Sequence, residues 1–552
     1  MNVERPIWNS ASPHGRVVTL AFLSERLPAS FLGEQIAQSL RTETDATVVL
    51  VRLERSNGSA ATHGNHLADM VHNGSLQLPQ HISQTPAGLH LLNLYANGDL
   101  HPPEWIAAIV DQLRHRFQYV LIEAVADKLL SPTLFEFLLR SDTGYLLLQP
   151  TTEDVYQLNL LMGELRPQLD LESGHIKPVL CLGEGETAAG YDDLIENIAG
   201  RVNRFIRNCP KHTNQNDPHI QAIPTTVFRA GIRRLSREIG NCLVGLALSS
   251  GGAKGLTHIG VIQVLEENGI EVDVVAGSSM GAYVGAIWAC GFDGQKLEQL
   301  ARELEPRRAL WSLIDPAFPP RQGFLRGLAV KKRLMKSIGN IRFAELLRPL
   351  HVVATNLETL ERVVFSSGEV ATAVHASAAV PGICVPITID GETYIDGGIV
   401  DPLPVDVLRE LGVDRVIAVN AIPTSDRIRY CLQAERELAQ LTVKRSRELV
   451  RKLIPVDEHL NYFAKGNILE ILMRSIHGAQ IRMAESLSRR ADIVLCPAIC
   501  EDSWFDFRHP DKFILPGRKI AERHLAEIKA LVARKTNVNE HKTVIEPMVE
   551  VA

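Results

Sequence analysis

Glu271-Val272-Asp273-Val274-Val275-Ala276-Gly277-Ser278-Ser279-Met280-Gly281 runs from a short apolar segment into a cluster of small residues, and Ala282-Tyr283-Val284-Gly285-Ala286-Ile287-Trp288-Ala289 follows it. The pattern predicts a strand, a sharp turn and a helix. A serine in such a turn stands clear of the sheet with its hydroxyl exposed, and glycines on either side let the helix pack closely on the strand behind it. The helix N-terminus lies under that hydroxyl, where its partial positive charge favours the alkoxide. Ser279 is centred between Gly277 and Gly281 and is the candidate nucleophile; Ser278 is off centre. Small residues make a single G-x-S-x-G pentapeptide common by chance, so its meaning depends on what accompanies it.

Upstream, Leu246-Ala247-Leu248 reads as a strand that ends in Ser249-Ser250-Gly251-Gly252-Ala253-Lys254-Gly255. Leu256 to Leu265 then has helical spacing of apolar residues. A small-residue loop at a helix N-terminus exposes successive backbone amides, which suits an anion: a phosphate, or the oxyanion of an acyl-transfer intermediate. The plain alternative is a structural glycine turn. Downstream, Asp390-Gly391 is a hairpin signal, Thr393 to Ile395 is the return strand, and Asp396 stands at its end, followed by Gly397 and Gly398.

With the glycine loop, the serine elbow and the aspartate after a hairpin in this order, the chain resembles the patatin-like phospholipases, in particular their bacterial branch related to neuropathy target esterase. The resemblance covers about Val244 to Ile422 and includes His351-Val352-Val353-Ala354-Thr355-Asn356-Leu357-Glu358-Thr359 and Ala376-Ser377-Ala378-Ala379-Val380-Pro381-Gly382. It extends more weakly to Ala491-Asp492-Ile493-Val494-Leu495-Cys496-Pro497. It implies a three-layer α/β/α catalytic domain and a serine–aspartate dyad, with Ser279 as nucleophile and Asp396 as base. Gly251, Gly252 and Ala253 match the family's oxyanion loop, with Lys254, Gly255, Gly277, Gly281, Gly397 and Gly398 supporting the motifs. The chain departs from the family pattern at Ser250, where glycine is usual, at Lys254, where arginine is common, and at Asn356, where aspartate is common. Serine resists positive φ more than glycine does, so Ser250 bears on the loop geometry.

A serine hydroxyl needs a neighbouring base. Aspartate, with an unperturbed pKa of about 3.9, becomes an adequate one only if burial raises that value or the site makes the serine more acidic. Histidine is the competitor. His258 lies one turn past the glycine loop and His375 just before Ala376, and each is read as structural or solvated. His477 and His509 are distant in sequence and carry no supporting motif.

The 45% apolar and 22% charged fractions are those of an ordinary globular chain. A net charge of −6 gives no basic field for nucleic acid. The cysteines at 181, 209, 242, 290, 384, 431, 496 and 500 are scattered, which reads as reduced thiols in a cytoplasmic protein. Met1-Asn2-Val3-Glu4-Arg5-Pro6 lacks the apolar core of a signal peptide, and no run of about 18 apolar residues reads as a membrane span.

The length of 552 residues allows several domains, read as residues 1–240, 241–425 and 426–552, the last a helical region that completes the catalytic unit with a late strand near 492–496. In the first, strands are expected at Val17–Leu23, Thr47–Leu53, Leu89–Leu94, Tyr119–Glu123, Tyr145–Gln149 and Lys177–Leu182. Helical patterns such as Phe31–Leu40, Pro103–Phe117 and Thr152–Leu165 lie between most of them. Such alternation predicts a doubly wound parallel sheet, a Rossmann-like layout similar to P-loop proteins of the partition-ATPase type. The phosphate-cradling G-x-x-x-x-G-K-[ST] is missing after the first strand, where Ser24-Glu25-Arg26-Leu27-Pro28-Ala29-Ser30 stands. The domain is therefore read as degenerate, binding no nucleotide, with a regulatory or scaffolding role. Glu54 to Pro79 reads as a surface loop, Lys211 to Pro218 as a polar boundary stretch, and Arg229 to Arg237 as a basic helix with a solvated linker face.

Two stretches could meet lipid: Arg307 to Gly327, with Trp311, Leu313, Ile314, Phe318 and Phe324, and Arg436 to Leu453, which reads as a basic amphipathic helix. The expected function is a serine hydrolase acting on phospholipid or lysophospholipid esters, without metal or cofactor, in the cytoplasm or peripherally at an anionic inner membrane face. The alternatives are a catalytically silent binding scaffold and a transacylase.

Overall fold

The computed structural model describes residues 15–24, 26–55, 65–66, 71–72, 75–76, 81–96, 103–125, 132–167, 175–186, 191, 194–195, 198, 204–210, 226–429, 433, 468–497 and 505–533. The chain forms two compact units, Leu243–Arg534 and Met1–Cys242 with Lys535–Ala552.

The first of these is built on a sheet of short apolar strands. In chain order they are β1 (Val244–Leu248), β2 (Val274–Ser278), β3 (Leu350–Asn356), β4 (Arg362–Phe365), β5 (Ile387–Ile389), β6 (Glu392–Asp396), β7 (Arg415–Val419) and β8 (Ile493–Leu495). Their order across the sheet is β5-β6-β3-β2-β1-β7-β8, with β4 also on β3. β3, β2, β1, β7 and β8 run parallel, whereas β4 and β6 are antiparallel to β3.

Alternation of side chains at period two sorts the strands into two faces. Leu246, Leu248, Val275, Val352, Ile417 and Val419 pack under α1 (Thr257–Glu267), α2 (Met280–Ala289), α3 (Val370–Ser377) and, later in the chain, Asp511–Arg523. Ala247, Val274, Ala276, Val353, Val416 and Ala418 meet α4 (Val405–Glu410) and α5 (Ile468–Ser488). The result is the three-layer α/β/α sandwich implied by the resemblance. Buried parallel strands read as continuous apolar runs because both faces are covered.

In the N-terminal unit the described main strands are Arg16–Phe22, Val48–Arg55, His90–Ala96, Tyr119–Val125, Thr143–Leu148 and Ile176–Cys181. Arg16–Phe22 is central, between Tyr119–Val125 and Thr143–Leu148, and all of these pair in parallel. The chain winds outward first to one side of that strand and then to the other, which is the doubly wound arrangement. Helices Ala29–Thr44, Pro103–Arg116, Pro132–Arg140 and Thr152–Leu165 connect the strands.

The basic helix before β1 departs from expectation. Thr226–Ile239 is a packed element of the N-terminal unit and not a solvated linker. Ser236 Oγ donates to Ile36 O at 3.0 Å, Arg233 Nε to Glu43 Oε1 at 2.6 Å, and Arg237 is 4% exposed. Of Glu54 to Pro79, Asn65–His66, Val71–His72 and Ser75–Leu76 are short strands, and most of the rest lies outside the described residues. Lys211 to Pro218 and the stretch Arg436 to Leu453 lie outside them too. Among the described residues, no helix is long and apolar enough to cross a membrane.

Candidate active site

The sheet itself brings the two distant motifs together. Ser278 at the end of β2 pairs with Val353 of β3, and Asp396 at the end of β6 pairs with Ala354, the next residue. β4 occupies Val352 to Thr355 along the opposite edge of β3. A strand has two edges, so β2 and β6 must share the other one and meet end to end. Ser279, one residue beyond Ser278, therefore faces Asp396.

The local backbone explains each residue type. Ser279 has φ +52° and ψ −115°, a conformation a serine adopts only under constraint. Its amide donates to Ser377 Oγ at 2.8 Å. A Cβ on Gly277 would crowd the backbone of Ala282, and one on Gly281 would collide with Leu248 O, so only glycine lets α2 cross so close to β1 and β2. The Asp390-Gly391 turn has positive φ at both residues, +51° and +88°, which closes the β5–β6 hairpin in its favoured form.

Asp396 is 3% exposed. Burial pushes its carboxyl from 3.8 up to about 6, against hydrogen bonds from the Ser279 side chain and the Gly398 amide. The latter donates to Oδ1 at 2.7 Å, and the Asp396 amide donates to Ala379 O at 2.9 Å. A carboxylate tuned in this way is ionised at pH 7 yet basic enough to take a proton.

The glycine loop lies against the elbow. Gly252–Leu256 is a short 3-10 turn, and a Cβ on Gly255 would strike Met280. The positive φ values fall on Gly251 (+155°) and Gly252 (+57°), and Ser250 is not among the positive-φ residues. The serine at that position therefore strains nothing. The Ser249 and Ser250 amides are taken by Val419 O and Pro402 O. Lys254 is buried in the same turn.

The histidines have other partners. His258 is fully buried, and desolvation drives its pKa down to about 4. Its Nε2 donates to Ser249 O at 2.9 Å, bracing the loop. His375 Nε2 donates to Arg326 O at 3.2 Å. His509 Nδ1 meets Asp506 at 2.6 Å. His477, far away in sequence, comes close to Lys254, whose charge helps burial to lower its pKa, and its side chain bonds Gln480. A Cβ on Gly398 would lie 2.8 Å from Ser250 Oγ, 2.9 Å from Asp396 Oδ1 and 2.9 Å from Gln480 Nε2. α5 thus closes one side of the site, and no local motif announces it.

Two further residues escaped the sequence reading. Ser377 is one; Asp401 is the other. Asp401 is 3% exposed, its carboxyl raised to about 6 by burial against the nearby Arg362, whose Nη1 is 3.3 Å from Oδ2. Its amide donates to Gly397 O at 2.9 Å, closing the turn after Asp396.

Residues 246–409 match the family model for patatin-like phospholipases. This segment is similar to the patatin-like phospholipase domain over that span. An uncharacterized NTE family protein of Mycobacterium tuberculosis is 38% identical over 179 residues, which is 32% of this chain and 48% of that protein. A lysophospholipase NTE1 of Pyricularia oryzae is 31% identical over 226 residues, 41% of this chain and 15% of that protein. The chain therefore spans about half the length of the mycobacterial relative it matches and a small part of the fungal one. Among solved structures, a ParA family ATPase from Chlorobium tepidum TLS aligns at 18% identity with a TM-score of 0.29, over 36% of this chain and 85% of that one. The patatin-like segment holds the glycine loop, the elbow and Asp396, whereas His477 and Gln480 lie beyond it.

Proposed function

We propose that this chain is a serine lipid acyl hydrolase of the phospholipase or lysophospholipase type. The observation that carries the reading is the register that sets Ser279 against the buried Asp396, on neighbouring rungs of one edge of β3 and beside a glycine turn. Asp396 accepts the hydroxyl proton as Ser279 attacks the ester carbonyl. The amides of Gly251, Gly252 and Ala253 receive the tetrahedral oxyanion, a contribution of about 3–4 kcal/mol per good donor. The alcohol leaves with the proton, an acyl-enzyme stands on Ser279, and water releases the fatty acid. Labelling by a fluorophosphonate probe that Ser279→Ala abolishes, together with fatty-acid release from a phospholipid and lysophospholipid panel, tests this. Absence of both in folded wild-type protein leaves a binding scaffold.

Exposed apolar side chains in the segment before Phe324 support contact with a lipid surface. Trp311 is 71% exposed and Phe318 90%. Their strap is fastened where Phe324 and Leu325 amides donate to Ile383 O and the Val385 amide donates back to Leu325 O, a few residues after Ala379, which holds the Asp396 amide. In the N-terminal unit, Glu123, a carboxylate inside the central strand Tyr119–Val125, is occupied by Arg52 at 3.2 Å and Ser30 at 3.1 Å. That supports the reading that no nucleotide binds there; titration with magnesium and ATP tests it.

A further inference from the structure

Immediately after β7 the chain is fastened to the root of the glycine loop. The Ala421 amide donates to Ser249 Oγ at 2.8 Å, and a Cβ on Gly251 would sit 3.3 Å from the Ala421 Cβ. A cavity of about 410 Å³ opens beside this junction, between the segment 420–429 and α5. It lies at the C-terminal ends of β7 and β8, with Asn420 following one strand and Cys496 the other. Ligands of open α/β sheets gather at that end of the strands.

The charged lining consists of Arg429, Arg482 and Arg489 against Asp426 and Glu485. Arg482, Glu485 and Arg489 recur at the three- and four-residue spacing that puts them on one face of α5. Both carboxylates already have partners. Asp426 pairs with Arg429 at 3.1 Å, and Glu485 Oε1 accepts the Ser425 amide at 2.7 Å. That bond, with Arg482 and Arg429 nearby, holds the Glu485 carboxyl below its ordinary range. Among the described residues, the guanidinium groups of Arg482 and Arg489 form no hydrogen bond or ion pair of their own. Two forked cations and the hydroxyls of Thr424 and Ser425 thus face a space of small-molecule size.

We propose that this cavity binds a phosphate group, carried by a small phosphoester or by a phospholipid headgroup. Planar guanidinium forks match phosphate oxygens in pairs, which a lone ammonium does not. Val494 is the one aliphatic residue among those that line it, and the arginines supply the contacts an anion needs. None of its lining residues is among those of the Ser279 site, to which it is joined by the Ser249–Ala421 fastening and by α5, the helix of both Gln480 and Arg482.

The test uses the full chain as Ser279→Ala, so that no lipid is consumed. Calorimetric titration with glycerol 3-phosphate is expected to give a Kd at or below about 1 mM. Arg482→Ala with Arg489→Ala is expected to weaken it at least about tenfold. Lys296→Ala with Lys336→Ala, an equal change of charge elsewhere, stays near the parent value. Arg482→Lys with Arg489→Lys keeps charge and fold, and is expected to weaken binding about fivefold through loss of the fork. A parallel flotation arm compares phosphatidylcholine vesicles with and without phosphatidic acid. Loss confined to the soluble arm assigns a free phosphoester, and loss confined to the phosphatidic acid vesicles assigns a headgroup. Arginine variants that match the lysine control in both arms overturn the proposal, as does a parent protein that binds neither ligand.

Discussion

Ser377, at the end of a helix nearly a hundred residues downstream, holds the amide of Ser279 at 2.8 Å. Both residues are buried, so the bond fixes the elbow in a region with little water to replace it. Ser377→Ala leaves that amide without a partner, which destabilises the fold by about 1–3 kcal/mol. Fluorophosphonate labelling is expected to slow by about one to two orders of magnitude as the nucleophile loses its orientation. Unchanged labelling in a destabilised variant would show that the bond serves stability alone.

The backbone of Ser279 stores strain that the reaction needs and the fold does not. Glycine tolerates φ +52° without a Cβ penalty, while alanine keeps it. Ser279→Gly is therefore expected to melt higher than Ser279→Ala, by about 1 kcal/mol in urea denaturation. Both variants are expected to be inactive. Equal stability of the two would remove the strain from the account.

Asp396 gives a pH dependence with a defined sign. Its folded pKa of about 6 lies above the unfolded 3.8, so the folded state holds the proton more tightly. The stability this confers is fully present below pH 3.8 and is lost as pH rises through about 6. A shift of that size corresponds to about 3 kcal/mol against the ionised form at pH 7. Asp396→Asn is expected to be more stable than the parent at pH 7 and inactive. Activity of the parent is expected to fall on the acid side with an apparent pKa near 6. Asp401 also titrates there. Asp401→Asn, assayed across pH, is expected to keep the acid limb. If that variant alone abolishes the limb, the base is not Asp396.

Glycine substitutions should rank by what a Cβ meets. Gly281→Ala drives a Cβ into Leu248 O and is expected to destabilise by more than about 3 kcal/mol or to prevent folding. Gly391→Ala meets nothing nearby and loses only for its φ of +88°, about 1 kcal/mol. Thermal melts of both variants decide the order.

The exposed strap gives a prediction for membranes. Trp311→Asp with Phe318→Asp is expected to reduce flotation on anionic liposomes several-fold, and added salt should weaken binding of the parent. Flotation that is indifferent to both changes would move the lipid contact elsewhere.

The core of the site was legible because its signals are local. An apolar run, a small-residue elbow and an Asp-Gly hairpin each dictate their own backbone, and those backbones lie within the catalytic sheet. Continuous apolar strands alternating with helices likewise revealed the doubly wound N-terminal sheet. What failed was anything decided by a distant partner. Gln480 and Asp401 carry no motif, and Ser377, though inside the quoted block Ala376 to Gly382, shows its bond to the Ser279 amide only once the sheet is assembled. His477 was set aside as distant for the same reason. The helix Thr226–Ile239 misled because four arginines look solvated until Glu43 is seen to take Arg233 and Arg237.

Because β2 and β6 abut along a single edge of β3, that one strand acts as a ruler for the chemistry. The spacing between serine and aspartate is set by consecutive rungs, not by the length of chain that separates them. The exposed parts of the stretch between Ala289 and Leu350 can accordingly change while Ser279 and Asp396 keep their places, whereas Leu297, Leu334, Ile338 and Phe343 tie the rest of it to the core. Changes in that outer stretch leave the alignment of the serine and the aspartate untouched in such a framework.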